Sequence, residues 1–115
     1  MIRSILSELL EIQGVNVAAV VGRDGFVIES TALGRVSIDA LGAMTSTGIR
    51  YYEVLGTELE KGGVRQVMLD LQKGTIILTP ISKEMFLAIL TDPKVNTGLI
   101  SHESGKTTGR LMAAM

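Results

Sequence analysis

Hydrophobic and polar positions recur along this chain with two different periods. Residues 37–61 carry apolar or small side chains every three or four positions, which predicts one long helix closed by Gly62-Gly63. Residues 2–13 repeat that period over a shorter length, and Gly14 is suited to end the helix that they predict. A third helix is predicted over residues 95–115.

Five segments between these helices have the pattern of β-strands. Residues 15–21, 75–79 and 84–90 are apolar on both faces, which predicts central strands that are covered from both sides. Residues 26–30 and 64–72 are more polar and are expected at the edges. The order α-β-β-α-β-β-β-α predicts an α+β three-layer sandwich. It consists of a five-stranded antiparallel sheet with one long helix on one face and the terminal helices on the other.

Local signals define several boundaries. Asp24-Gly25 between apolar runs predicts a hairpin turn, because Gly tolerates the positive φ that such turns require. Ser37 is expected to cap the long helix, and Pro80, which has no N–H to donate, is expected at the end of its strand. Three glycines reduce the stability of the last helix by about 1 kcal/mol each relative to Ala. We therefore expect a break or fraying around residues 102–109.

The long helix carries two apolar stripes instead of one. The first is predicted to pack on the sheet and consists of Leu41, Met44 or Thr45, Gly48, Tyr52, Leu55 and Leu59. The second lies beside it with nearly heptad spacing and consists of Ala40, Ala43, Thr47, Tyr51, Val54 and Glu58. A monomer needs only one such stripe, so the second is expected to pack on another chain. The remaining face holds Ser46, Arg50, Glu53 and Thr57.

Composition also favours self-association. With 115 residues the chain is expected to form one domain, residues 1–115. Its 46% hydrophobic content and mean hydropathy of +0.37 are high for so small a domain. The net charge of −1 and the scattered Lys and Arg residues argue against nucleic acid as a partner. The sequence has neither an apolar run of membrane-spanning length nor a signal-peptide pattern, so a cytoplasmic location is expected.

Few residues have the potential for catalysis or metal binding. The chain has no cysteine and one histidine, His102, so neither a zinc site nor a cysteine nucleophile is predicted. Gly105-Lys106-Thr107-Thr108 matches the end of a P-loop, but the Gly required five positions earlier is Ile100. We therefore predict no enzymatic activity and no cofactor.

The region from Gly14 to Ile28 resembles the strand-turn-strand of the Roadblock/LC7 domain family. Its sequence is Gly-Val-Asn-Val-Ala-Ala-Val-Val-Gly-Arg-Asp-Gly-Phe-Val-Ile. The likeness extends over essentially the whole chain, since a long helix, three strands and a closing helix follow in the family's order. The resemblance implies the profilin-like Roadblock fold and a homodimer.

The same resemblance implies where the dimer and its partner meet. In the family, the third strands of two subunits pair into a continuous sheet and the long helices lie side by side. Here this implies an interface formed by Ala40, Ala43, Thr47, Tyr51, Val54, Val64, Gln66, Met68 and Asp70. Prokaryotic, MglB-like members bind a small Ras-like GTPase and promote its GTP hydrolysis, which implies such a partner. The helix face that is left over is expected to contact it through Ser46, Arg50, Glu53 and Thr57.

Two other functions stay open from the sequence. A structural adaptor of a motor, filament or signalling complex would use the same sheet-and-helix dimer without regulating a GTPase. A small enzyme or ligand sensor would need a polar cluster between helix and sheet, which the sequence does not predict. Assembly beyond a dimer is also open.

Overall fold

The structure, a computed structural model, describes residues 1–115, and its eight elements follow the predicted order. The helices are α1 (Ile2–Leu9), α2 (Ile38–Glu58) and α3 (Thr97–Ala114). The strands are β1 (Val15–Gly22), β2 (Val27–Ala32), β3 (Val67–Leu71), β4 (Gly74–Pro80) and β5 (Met85–Thr91). The third strand is shorter than predicted, because residues 64–66 precede it as irregular chain.

The five strands form one antiparallel sheet in the order β2-β1-β5-β4-β3. The three segments predicted as central strands are central, and the two more polar segments form the edges. Pro80 pairs with Phe86 in the last register position of β4 and β5, where a residue without an N–H is tolerated. The predicted arrangement of strands is confirmed.

Two hydrophobic clusters lie on opposite faces of the sheet. The first joins α1 and α3 to the sheet and contains Ile5, Leu6, Leu9, Val15, Ala18, Val20, Ile77, Leu87, Ile89, Ile100 and Leu111. The second lies under α2 and contains Val17, Ala19, Val21, Ile49, Leu78, Phe86 and Ala88. Successive residues of a strand belong to different clusters because their side chains point to opposite faces. The three-layer sandwich is therefore confirmed.

The prediction of a broken last helix is wrong, because α3 is continuous. Asn96 caps it, with its side-chain oxygen accepting the Leu99 N–H at 3.0 Å. Its inner face buries Ile100, Ser104, Thr107 and Leu111 against the sheet and α1, and the three glycines have ordinary helical φ. Burial of this face outweighs the low helix propensity of the glycines.

The first predicted stripe of α2 is also largely wrong. Leu41 and Thr45 face the sheet as predicted, but Met44, Tyr52, Leu55 and Leu59 are exposed. The buried residues are Gly42, Thr45, Ser46 and Ile49. A Cβ added at Gly42 would lie 2.8 Å from the Gly25 carbonyl oxygen, so the helix approaches the sheet too closely for large side chains there. Small residues therefore form the inward face in the first half of the helix, and Ile49 is its one large fully buried side chain.

Two predicted local signals are present, one in the β1–β2 turn and one at the start of α2. Gly25 has φ +94° in the turn between β1 and β2, which only Gly adopts without strain. The Ser37 hydroxyl accepts the Ala40 N–H at 3.4 Å and caps α2. Both predictions, of the hairpin turn and of the helix cap, are therefore confirmed.

Candidate interaction surface

The outer face of α2 is apolar and uncovered within the subunit. Its six large apolar side chains are between 43% and 75% exposed: Met44, Tyr51, Tyr52, Val54, Leu55 and Leu59. Ala40, Ala43 and Thr47, predicted to face another chain, are exposed as well. Contiguous apolar surface of this kind on a small domain marks an interaction site. The uncovered face is wider than predicted, because residues assigned to the core stripe belong to it.

The β3 strand lies at the sheet edge with only β4 as its neighbour, so its other side is open to pairing. Its register with β4 is regular over all five residues. Met68 pairs with Ile77 and therefore lies on the α1–α3 face, as does Asp70, while Leu69 and Leu71 lie on the α2 face. Met68 and Leu71 are about half exposed. This edge is therefore both unpaired and partly apolar.

Two residues predicted for the sheet edge are used inside the subunit. Val64 precedes β3 and packs against the cluster under α2. The Gln66 amide donates to Thr79 Oγ1 at 3.2 Å and accepts from the Ser101 hydroxyl, which ties the entry of β3 to α3. Neither residue lies in the strand, so the structure leaves only Met68 and Asp70 of that set in an edge strand. The homodimer interface itself stays a prediction.

The predicted partner face of α2 is only partly available. Ser46 is only 4% exposed, at the bottom of a hollow between the β1–β2 turn and α2, and its hydroxyl donates to the Ala43 carbonyl at 2.9 Å. Glu53 is half-buried and forms an ion pair with Arg23. Arg50 and Thr57 are exposed, and Arg50 has no ion pair. Ser46 therefore offers little surface to a partner and Glu53 is paired within the subunit, and partner contact through this face stays a prediction.

Arg23 connects this part of the surface to the sheet. Besides its ion pair with Glu53, its guanidinium donates to the Ser82 carbonyl at 3.2 Å and lies 5.8 Å from the centre of the Phe86 ring. The arginine therefore joins the β1–β2 turn, the β4–β5 turn and the middle of α2. These contacts fix the helix over the sheet.

Three surface hollows lie along this flank of α2, and Arg50 lines all three. Their volumes are about 310, 420 and 450 Å³. The first is formed by α2 alone, the second includes Arg23 and Lys83, and the third lies against the β1–β2 turn. An unpaired guanidinium at the junction of three hollows is suited to contact a second protein.

The perturbed ionisable groups lie away from α2. Hydrogen bonding to Arg110 lowers the pKa of the Glu8 carboxyl and raises the pKa of Arg110 in return. Hydrogen bonding to Arg3 lowers the pKa of the Glu29 carboxyl, and the Ser30 N–H lowers it further. These exposed pairs link α1 to α3 and to β2.

The residues considered for catalysis are dispersed. His102 is exposed on α3, and residues 105–108 lie within the same helix and form no phosphate-binding loop. No group of three His, Cys, Asp or Glu side chains is arranged to hold a metal ion. No helix combines the length and apolar character needed to cross a membrane.

Comparison with known proteins identifies the family of the chain. The family model of the Roadblock/LC7 domain matches residues 1–91. The chain belongs to the Roadblock/LC7 domain family. An uncharacterised protein of Methanocaldococcus jannaschii is 38% identical over 100 residues, which is 87% of this chain and 84% of the relative.

Solved structures share the Roadblock/LC7 fold at low identity. A Roadblock/LC7 domain from Streptomyces avermitilis superposes with a TM-score of 0.90 at 19% identity, covering 97% of this chain and 95% of that one. MglB from Myxococcus xanthus gives 0.90 at 16% identity, covering 98% and 93%. Profilin II from Acanthamoeba castellanii gives 0.66 at 17% identity, covering 99% and 98%. These similarities establish the fold, including its likeness to profilin.

One exposed residue of this Roadblock/LC7 domain was not among the site residues predicted from the sequence. Phe26 is 75% exposed at the end of the β1–β2 turn and lines the hollow against α2. The sequence placed it at the start of a strand, where an aromatic residue is ordinary. An aromatic side chain directly after the Asp-Gly turn was the available signal.

Proposed function

We propose that this Roadblock/LC7 domain is a homodimeric interaction module that binds and regulates a small Ras-like GTPase. The observation that carries the proposal is the combination of an uncovered apolar α2 face and an open β3 edge in one subunit. A single copy leaves both in water. A second copy is able to cover both at once.

In a dimer with its two-fold axis beside β3, the second subunit is able to cover both the α2 face and the β3 edge. In such a dimer each β3 pairs antiparallel with its mate, and the two sheets become one. Both α2 helices then lie on the same face of that sheet, because each α2 lies on the same side of its own subunit. Tyr51, Val54 and Leu55 are the large side chains that we expect to lose most exposure. Tyr51 is suited to the centre because its ring is apolar and its hydroxyl is polar.

The GTPase is proposed from the family and from the surface that the dimer leaves free. Roadblock/LC7 proteins act as regulators or adaptors, and the Ras-like partner is what the MglB-like resemblance implies. Arg50 and Thr57 remain on the exposed flank of α2 and are proposed to contact the partner. The proposed setting is the cytoplasm, and the proposed role needs no cofactor.

The test combines mass and binding. Light scattering after size exclusion measures the mass of the wild-type protein over a dilution series, and a dimer mass is expected at micromolar concentration. The probe for binding is the small Ras-like GTPase encoded nearest to this gene, loaded with GDP or with GTP. We expect binding that depends on the nucleotide and a change in the rate of single-turnover GTP hydrolysis.

The alternatives give different results in the same experiment. A dimer that binds the GTPase without changing hydrolysis is a scaffold. A dimer that binds no GTPase in either state is an adaptor for another assembly. A monomer at all concentrations contradicts the proposal, because α2 and β3 then have no neighbour.

A further inference from the structure

The long helix α2 lies along one end of the sheet and crosses the strands. A Cβ added at Gly42 would lie 2.8 Å from the Gly25 carbonyl oxygen in the β1–β2 turn. Further along the helix, Glu53 pairs with Arg23, whose guanidinium also donates to the Ser82 carbonyl in the β4–β5 turn. Both turns lie at the same end of the sheet, because β1 and β5 are antiparallel. The helix therefore runs along this end from the β2 edge towards the β3 edge.

The helix is longer than the part of the sheet that it crosses. From Gly42, which lies over β1, to its last residue it advances about 24 Å at about 1.5 Å per residue. Three strand spacings of about 4.8 Å separate β1 from β3, which amounts to about 14 Å. The chain after the helix folds back against it, since a Cβ added at Gly56 would lie 2.2 Å from the Gly62 carbonyl oxygen. The end of α2 therefore projects past β3, and Leu55 and Leu59 are 51% and 60% exposed there.

The same face of the sheet carries bare apolar side chains at its other end. Leu69 pairs with Ile76, which packs against the cluster under α2, so Leu69 and Leu71 point to the α2 face. Leu71 ends β3 and is 51% exposed, and Leu69 is half-buried. Val67 begins β3 at the end of the sheet that α2 follows, and from there to Leu71 the strand advances about 13 Å. The subunit therefore has apolar helix without sheet beneath it and apolar sheet without helix above it.

Pairing of two β3 strands brings these two surfaces together. Leu69 is the middle residue of β3, and in an antiparallel pair centred on it, Val67 of one subunit lies opposite the partner's Leu71. Residues opposite each other in a sheet point to the same face, so the partner's Leu71 lies on the α2 face beside Val67. Val67 packs against the cluster under α2. The projecting end of α2 therefore lies over the partner's Leu71, and the two-fold axis repeats this contact.

We propose that each α2 helix covers part of its partner's sheet, with Leu55 and Leu59 packed on the partner's Leu69 and Leu71. This assignment rests on the proposed homodimer and identifies which helix residues meet which strand residues across it. A second copy is the occupant that fits, because it supplies both the bare strand and the projecting helix end. Residues of both subunits then form one apolar layer, so neither subunit completes its α2 face alone.

The first test is disulfide cross-linking, to which the chain is suited because it contains no cysteine. Leu59→Cys and Leu71→Cys are made in separate chains, one of which carries a size tag, and the two proteins are mixed and then oxidised. A disulfide requires Cα atoms about 4.4–6.8 Å apart, so the mixed-chain product reports direct contact between subunits. We expect this product to accumulate on a non-reducing gel.

The matched control for cross-linking is Leu59→Cys mixed with Met68→Cys. Met68 is 45% exposed in the same edge strand but points to the opposite face of the sheet, so little mixed-chain product is expected. Light scattering of the reduced variants shows whether each keeps the mass of a dimer. Dimeric variants that give no product with Leu71→Cys, or as much with Met68→Cys, overturn the packing while the proposed homodimer stands. A wild-type protein that is monomeric overturns both.

An exchange of charges provides a second test that needs no oxidation. Leu59→Glu alone and Leu71→Lys alone each place an unpaired charge in the apolar layer, and we expect each to raise the dissociation constant about tenfold or more. In the double variant each glutamate meets the partner's lysine, so we expect most of the lost affinity to return. Leu59→Glu with Met68→Lys is the control and is expected to recover none. Sedimentation measures these constants, and a double variant that dimerises no better than either single variant overturns the packing.

Discussion

The two edge strands of the sheet present different margins to solvent. The register of β2 against β1 shifts at Val20 and Val21, and Glu29 of β2 pairs with Arg3 of α1 at 2.8 Å. The register of β3 against β4 has no irregularity, and no side chain of β3 forms an ion pair. Bulges and charges protect an edge from pairing with another strand. The β2 edge is therefore protected, whereas the β3 edge is open.

This difference has a consequence for assembly. A sheet with two open edges would extend through copy after copy into a filament. A sheet with one open edge closes after a single isologous pairing. The position of α2 adds to the asymmetry, because its main contacts with the sheet are to β1 and β2. We therefore expect assembly to stop at the β3 edge unless a third surface takes part.

The largest expected effect comes from placing charges on the open edge. Met68→Lys with Leu71→Lys adds two new cations on each face of the sheet along the seam of a β3-paired dimer. We expect a monomer at micromolar concentration, because like charges oppose each other and charged side chains block edge pairing. Light scattering after size exclusion measures this. The matched control, Ile28→Lys with Ala32→Lys on β2, is expected to stay dimeric, and its dissociation would break the comparison between the edges.

The next effect concerns the helix that accompanies the open edge. Tyr51 is 72% exposed in the subunit, so Tyr51→Asp should leave the fold intact. In the dimer it would place an unpaired charge in a desolvated position, and we expect the dimer to dissociate about tenfold to a hundredfold more readily. Sedimentation at several protein concentrations measures the dissociation constant of the dimer. Met112→Asp on α3 is the control, and an equal shift in both variants would contradict an α2 interface.

An effect of similar size, on subunit stability instead of assembly, is expected where α2 is held near β2. A Cβ at Gly42 would lie 2.8 Å from both the Gly25 carbonyl oxygen and a Val27 methyl group, whereas one at Gly48 meets nothing within 4 Å. Gly42→Ala should lower the free energy of unfolding by about 1–3 kcal/mol. Gly48→Ala should raise subunit stability by up to about 1 kcal/mol through helix propensity. Urea unfolding measures the stability of both variants. If Gly42→Ala is as stable as wild type, the close approach of Gly42 to Gly25 does not position the helix.

The smallest effect concerns the protected edge. Hydrogen bonding to Arg3 lowers the pKa of Glu29, so the pair contributes to stability above the ordinary carboxyl range. That contribution is lost as pH falls through the lowered pKa. Arg3→Ala should therefore reduce the melting temperature slightly at pH 7 and match wild type in strong acid. Thermal melts across this pH range measure the difference in melting temperature between Arg3→Ala and wild type. A difference that grows as the pH falls would contradict a stabilising pair that is lost in acid.

The sequence predicted the sheet more accurately than the helix faces. Strands apolar on both sides must be central, so 15–21, 75–79 and 84–90 left little freedom in the strand order. Helix faces depend on rotation about the axis, and both stripes of α2 are apolar. Large residues such as Tyr52 and Leu55 were therefore assigned inward. The structure instead places Gly42 and Ile49 against the sheet.

For the candidate site, too, the sequence predicted what depends on local spacing and missed what depends on contacts between distant residues. The exposed stripe from Ala40 to Val54 was predicted from spacing. Burial of Ser46 and the ion pair of Glu53 were not, because their partners, Gly25 and Arg23, are remote in sequence and meet α2 only after folding. Phe26 was missed because an aromatic residue at the start of a strand is ordinary, and only the folded chain shows that it is exposed.

The sequence by itself determined the number, order and type of the elements, because periodicity and turn residues act over neighbouring positions. It also determined that more apolar surface exists than one small subunit covers. Only the tertiary structure decided which face of α2 is left bare and that α3 is continuous. It also decided which sheet edge stays open. These outcomes depend on the close approach of Gly42 to Gly25 and on packing between elements distant in the chain, which no local pattern records.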